Sequence, residues 1–216
     1  EEPPAGVTFF LITHQPARLL PTIRSRCREL RLGPLPPDDL SDALTAAGGD
    51  IAPQDRMALA QLAGGSVGRA FELTNLDGLR LYQSLVDLLG GLPRPDRPSL
   101  DRPRLDRPSA QALAEAASGK GAEAQFDLII ALIDTFLART ARAAALGALP
   151  PDAARGESAL IAGLAAQPAS ARAWAELAQA LGIRARRGRA VNLDPAALVL
   201  DMLLAIEAGA RDMPRA

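Results

Sequence analysis

The stretch Ala122-Glu123-Ala124-Gln125-Phe126-Asp127-Leu128-Ile129-Ile130-Ala131-Leu132-Ile133-Asp134-Thr135-Phe136-Leu137, running on to Leu146, decides the fold class. Phe126, Ile129, Ile130, Ile133 and Leu137 recur at helical spacing, with Leu128, Leu132 and Phe136 beside them. An apolar arc this wide predicts a long helix over 122–146 that is buried on more than one side, in a bundle core or an oligomer interface. Hydrophobic residues make up 48% of the 216-residue chain, whereas aromatics make up only 3%. Ala and Leu favour helix, and the β-branched and aromatic residues that strands prefer are scarce. An all-β sandwich or barrel is excluded; a mainly α fold is expected.

Working outward, the same periodicity predicts a short helix over 109–118 and further helices over 157–165 and 170–187, the last carrying Trp174, Leu177, Ala178 and Leu181. Asp194-Pro195 is an N-cap followed by Pro at the first helical position, opening a final helix with Leu198, Val199, Met202, Leu203 and Ile206 facing inward. Upstream, three short helices are expected over 38–47, 53–63 and 66–74, capped by Asp38 and Ser66 and stopped by Gly48-Gly49 and Gly64-Gly65. A helix over 79–89 follows. Between it and the long helix lies a five-residue tandem repeat, Asp96-Arg97-Pro98-Ser99-Leu100, Asp101-Arg102-Pro103-Arg104-Leu105, Asp106-Arg107-Pro108-Ser109-Ala110. Proline at every fifth place forbids a continuous helix and predicts a loop over 91–108, either a docking ligand or a repeat-expanded surface segment.

The chemistry-bearing residues are few. The net charge of −1 argues against a domain that coats DNA. A single cysteine, Cys27, and a single histidine, His14, rule out an internal disulfide framework and a Cys-based zinc finger, so no metal site is expected. Paired as nucleophile and base, the two would lack an orienting carboxylate at recognisable spacing; Cys27 reads instead as a small buried residue at a strand start. Ser118-Gly119-Lys120-Gly121 holds the only lysine and lacks phosphate-loop spacing. Arg184, Arg186, Arg187 and Arg189 could touch phosphates or complement a helix dipole. No apolar run is long enough for a membrane span, no secretory signal pattern opens the chain, and a cytoplasmic setting is expected.

The first 33 residues read differently. Val7-Thr8-Phe9-Phe10-Leu11-Ile12-Thr13 is a continuous apolar run of the kind found in strands buried on both faces. Arg28-Glu29-Leu30-Arg31-Leu32 alternates and is a second strand candidate; Leu19, Leu20 and Ile23 suggest a helix between them, with Pro21 in a first turn. Two strands do not complete a sheet. Either the sheet lies upstream in a longer protein, or a hairpin caps a helical domain. Gly33-Pro34-Leu35-Pro36-Pro37 marks a boundary.

Residues 9–27, Phe9-Phe10-Leu11-Ile12-Thr13-His14-Gln15-Pro16-Ala17-Arg18-Leu19-Leu20-Pro21-Thr22-Ile23-Arg24-Ser25-Arg26-Cys27, resemble the sensor-one strand and Ser-Arg-Cys motif of bacterial clamp-loader subunits, AAA+ proteins of the DNA polymerase III holoenzyme. Ala63-Gly64-Gly65-Ser66-Val67-Gly68-Arg69-Ala70 is similar to the sensor-two segment, and Val191-Asn192-Leu193-Asp194-Pro195 to the close of the family's delta-prime branch. The resemblance implies a remnant of an AAA+ α/β core over 1–33, a three-helix lid over 34–77 and a helical collar over 78–216. It makes Arg26 an arginine finger in trans, reaching ATP and Mg held by a neighbouring subunit, with Arg24, Ser25 and Cys27 supporting it. Thr13 takes the sensor-one position, and Ser66, Gly68 and Arg69 the sensor-two region.

Motor subunits of the family place an arginine directly after the Gly-Ser-apolar triplet. Here Gly68 stands there and Arg69 follows, about 100° further round a helix. The resemblance therefore implies a non-catalytic subunit, with no catalytic residue or cofactor of its own, inside a DNA-directed DNA polymerase complex. Its implied partners are the motor and delta subunits and, through the complex, the sliding clamp and primer-template DNA, with no membrane. An ATP-hydrolysing motor subunit of the gamma/tau kind and a free-standing helical scaffold are the alternatives.

Overall fold

The computed structural model describes residues 4, 6–92, 105–119 and 121–213. These contain ten α-helices: α1 Pro21–Arg24, α2 Pro37–Ala46, α3 Arg56–Ala63, α4 Val67–Asn75, α5 Gly78–Leu89, α6 Arg107–Glu115, α7 Glu123–Leu146, α8 Glu157–Leu164, α9 Ser170–Ala190 and α10 Pro195–Asp212. The chain divides into two compact units, residues 1–33 and 34–216.

In the second unit, α7 and α9 form the central pair. An ion pair between Arg189 and Asp127 sets the last turn of α9 beside the first turn of α7, so the two run antiparallel. The predicted stripe on α7 is buried at Phe126, Ile129, Ile133 and Leu137, with Leu128, Leu132 and Phe136 beside it, whereas Ile130 is half-buried. The arc is wide because α7 meets α5, α8, α9 and α10. Each such side chain contributes roughly 1.5–3 kcal/mol on burial. Trp174 is wholly buried between α8 and α9, its Nε1 donating to the Leu164 carbonyl at 3.2 Å. α10 packs antiparallel to α9, and the fit depends on Gly188: a Cβ there would stand 2.6 Å from Leu198 Cδ2.

A buried carboxylate ties this unit together. Glu157, at the start of α8, has no exposed surface. Its Oε1 accepts from Tyr82 Oη and Arg139 Nε, both at 2.6 Å, and its Oε2 from Ala153 N at 2.7 Å and an Arg139 guanidinium N–H at 3.2 Å. The same guanidinium donates to the Pro151 carbonyl at 2.6 Å. One anion thus joins α5, α7, α8 and the loop between the last two. Burial first, then the adjacent carboxylate, pushes the Tyr82 phenol far above its ordinary range. A second buried carboxylate, Glu207 on α10, accepts from Arg211 at 2.6 Å and from Leu105 N at 3.3 Å.

The helix expected over 53–63 opens as a 3₁₀ turn over Pro53–Asp55 before α3, and two other helix starts also differ from expectation. Asp38 does not cap α2; Pro36 is the N-cap and Pro37 the first residue, because the proline's fixed φ is preset for that position. The third repeat unit is not loop: Asp106 caps α6 by accepting from Ser109 N at 2.9 Å, and Pro108 sits in the first turn, where a missing N–H costs nothing. The repeat from Asp96 to Arg104 lies outside the described residues.

The first unit corrects the expected strands. Among the described residues, 7–13 and 28–32 form no regular secondary structure and make no ladder. A strand exists only through a partner that takes its N–H and C=O groups, and neither segment offers itself to the other. Phe10 and Ile12 are 87% and 91% exposed. Between them Pro21 opens α1 in its first turn as expected, but the helix is a single turn, and residues Pro16–Arg18 before it form a separate 3₁₀ turn.

Candidate functional site

Arg26 stands just past Ser25, the C-cap of α1. The last carbonyls of so short a helix have no intrahelical donor. The Thr22 carbonyl accepts from Ser25 Oγ at 3.2 Å and from Arg26 Nη1 at 3.2 Å. Ser25 and Arg26 are thereby brought to one acceptor, and their order in the sequence is what lets both reach back. Arg24, Ser25, Arg26, Cys27 and Arg28 are all exposed. Cys27 is thus not the buried residue expected, because no strand follows it to form a wall. Three permanent cations within five residues make a segment suited to an anionic ligand, and a guanidinium presents forked donors that match phosphate oxygens. Thr13, also exposed, accepts from Gln15 N at 3.1 Å through Oγ1 and so shapes the turn before the 3₁₀ segment.

The second candidate region lies in the 34–216 unit. α3 ends in the left-handed residue Gly64, φ 57°, and Gly65 follows at φ 77°. Gly65 has a second reason to be glycine: its Cβ would meet Leu35 N at 2.5 Å. The Gly65 carbonyl accepts from that same N–H at 3.0 Å, which locks the chain at Leu35 against the α3–α4 turn. Ser66 caps α4 as expected, its Oγ accepting from Arg69 N at 3.3 Å. Gly68 is exposed with open space around it, while Arg69 is held by Glu72 at 2.7 Å.

A cleft of about 170 Å³ in the same unit is lined by Asp50, Asp55, Asp77, Leu59 and Leu73. Its carboxylates disfavour a phosphate chain. The arginine cluster of α9 divides: Arg184 pairs with Asp201 at 2.9 Å, and Arg189 pairs with Asp127 and lies 5.9 Å over the Phe126 ring. Arg187 and Arg189 stand in the last turn, where cations complement the helix dipole.

Residues 1–36 match the family model described as DNA polymerase III, delta subunit. The chain is 37% identical over 101 residues to DNA polymerase III subunit delta' of Escherichia coli strain K12, a match covering 46% of this chain and 30% of that protein. It therefore spans about a third of the relative's length. No solved structure matches. Both matches agree with the resemblance carried by residues 9–27, and over the part they cover the chain is similar to the delta-prime subunit of the bacterial DNA polymerase III clamp loader.

Proposed function

We propose that the chain serves as a non-catalytic clamp-loader subunit that helps hold a five-membered ring and presents Arg26 to ATP bound by a neighbouring subunit. The observation that carries this reading is the exposed Ser25-Arg26-Cys27 segment at the end of α1, inside the stretch matched by the family model. A guanidinium is charged at every working pH and can neutralise charge on a transferring phosphoryl group. A guanidinium donating to a phosphate makes a charge-assisted hydrogen bond, stronger than one to a neutral carbonyl such as that of Thr22. Arg24 is the secondary contact, and Ser25 and Cys27 set the turn that aims the finger.

The absence of an arginine at Gly68 supports a subunit that hydrolyses nothing itself. Residues 1–33 belong to an AAA+ core, 34–77 to the lid and 78–216 to the collar. The partners are the motor and delta subunits and, through them, the sliding clamp and primer-template DNA, in the bacterial cytoplasm. No helix among the described residues is long and apolar enough to cross a membrane.

The test is Arg26→Ala in the loader reconstituted from full-length subunits. Clamp- and DNA-stimulated ATP hydrolysis falls at the site Arg26 serves, by a factor on the order of 10³–10⁵ for a finger supplied in trans. The ring stays assembled by size exclusion. Unchanged turnover refutes the role.

A further inference from the structure

The α9–α10 corner carries a surface that nothing above uses. Residues 177–193 contain four arginines and no acidic residue. Asp201 and Asp127 take up Arg184 and Arg189 from the two sides of the helix, whereas Arg186 and Arg187 are exposed and make no ion pair among the described residues. Ile183, Arg187 and Val191 stand at i, i+4 and i+8 and so form one row along the outer face. Ile183 and Val191 are 37% and 68% exposed.

The end of α9 continues the row. Asn192, at φ 53°, takes the left-handed position that usually belongs to glycine. Leu193 N donates to the Gly188 carbonyl at 2.9 Å and Asn192 N to the Arg189 carbonyl at 3.1 Å, the two bonds of a Schellman turn. Such turns ordinarily tuck the residue in Leu193's place against a side chain one turn back. Here that position is Gly188, and the space above it is filled by Leu198. Leu193 is left 55% exposed on a rigid turn.

We infer that this corner, Ile183, Arg186, Arg187, Val191 and Leu193, is a docking surface for another protein chain whose apolar contact is edged by aspartate or glutamate. Charge complementarity selects an acidic partner: the guanidinium groups of Arg186 and Arg187 have no counter-charge among the described residues. The aliphatic side chains select a protein over nucleic acid, since three exposed aliphatic groups gain nothing against a phosphate backbone. Arginine is also enriched at protein interfaces. The proposal rests on the assembly role above and adds which surface meets the neighbour.

The test measures binding of the full-length protein to its cognate purified motor subunit by sedimentation, for wild type, Arg186→Glu/Arg187→Glu and Val191→Ser/Leu193→Ser. All four positions are exposed, and circular dichroism checks that both variants fold. Each variant binds at least tenfold more weakly, the charge-reversal loss shrinking as salt rises and the apolar loss holding constant. If wild type binds and both variants match it within twofold, the surface assignment is overturned and the assembly role stands. Failure of wild type to bind the motor subunit overturns both. A charge-reversal variant that loses affinity for duplex DNA, while motor binding is unchanged, overturns the choice of a protein partner.

Discussion

Arg139→Met isolates the most consequential electrostatic contact in the 34–216 unit. The substitution keeps most of the side-chain length but removes the cation from a carboxylate with no solvent exposure. Glu157 loses two of its four donors and keeps Tyr82 Oη and Ala153 N. Removing one partner of a buried pair typically costs about 3–5 kcal/mol, because the remaining charge is uncompensated. For a unit of this size each kcal/mol lowers Tm by roughly 2–4 °C, so the midpoint falls by roughly 6–20 °C. Circular dichroism at 222 nm during heating and urea titration measures both quantities. The second arm is Arg139→Met/Glu157→Met, which removes both charges. If the cost of the single variant is the stranded anion, the double variant recovers a large part of it, since buried pairs replaced by apolar residues are often neutral. A single variant losing less than about 1 kcal/mol, or a double variant worse than the sum of two singles, would refute the reasoning.

Tyr82 is the only tyrosine, and its folded-state ionisation is displaced upward, so its contribution to stability is complete below the unfolded value near 10 and is lost as pH rises above it. Absorbance at 295 nm therefore stays low in the native protein at pH 11 and rises near pH 10 in urea; native titration at the ordinary value contradicts the burial of the phenol. Gly65→Ala costs about 1–2 kcal/mol for the left-handed backbone alone and more for the clash with Leu35, whereas Gly64→Ala, with open space around it, pays only the backbone part. Equal losses in the two variants, read from urea midpoints, would mean that Leu35 is not locked at this turn.

Helices were legible wherever the signal was local. The apolar rows of α7 and α10 recur every turn, and Asp194 announces α10 by side chain alone, its carboxylate accepting from Ala197 N at 2.8 Å. The Ser66 cap and the Gly64 stop were readable for the same reason. What escaped was non-local. Tyr82, Arg139 and Glu157 are far apart in the chain, and each alone looks like an ordinary helix residue; only the fold brings them together. The strand pattern of Val7–Thr13 states that the segment suits a buried sheet position, but not which chain segment supplies the neighbours, so pattern and observed structure differ. Asn192 is the exception that could have been found, since Asn one residue after the last helical turn is a recognised left-handed stop.

At the candidate site the legible part was the order Ser25-Arg26-Cys27, which lets Ser25 and Arg26 reach back to the Thr22 carbonyl; the exposure of Cys27 was not legible, because its burial depended on a strand that does not form. The division of the α9 arginines was not legible, because their partners Asp127 and Asp201 belong to other helices.

Trp174, like Tyr82, is the sole residue of its kind and is fully buried within residues 34–216. Fluorescence of the native protein is therefore a report on the helical bundle alone, and the first unit, whose aromatics are Phe9 and Phe10, is optically silent. A tryptophan introduced near Arg26 would be the natural beacon for that segment, provided Trp174 is first replaced by a dark residue of similar bulk.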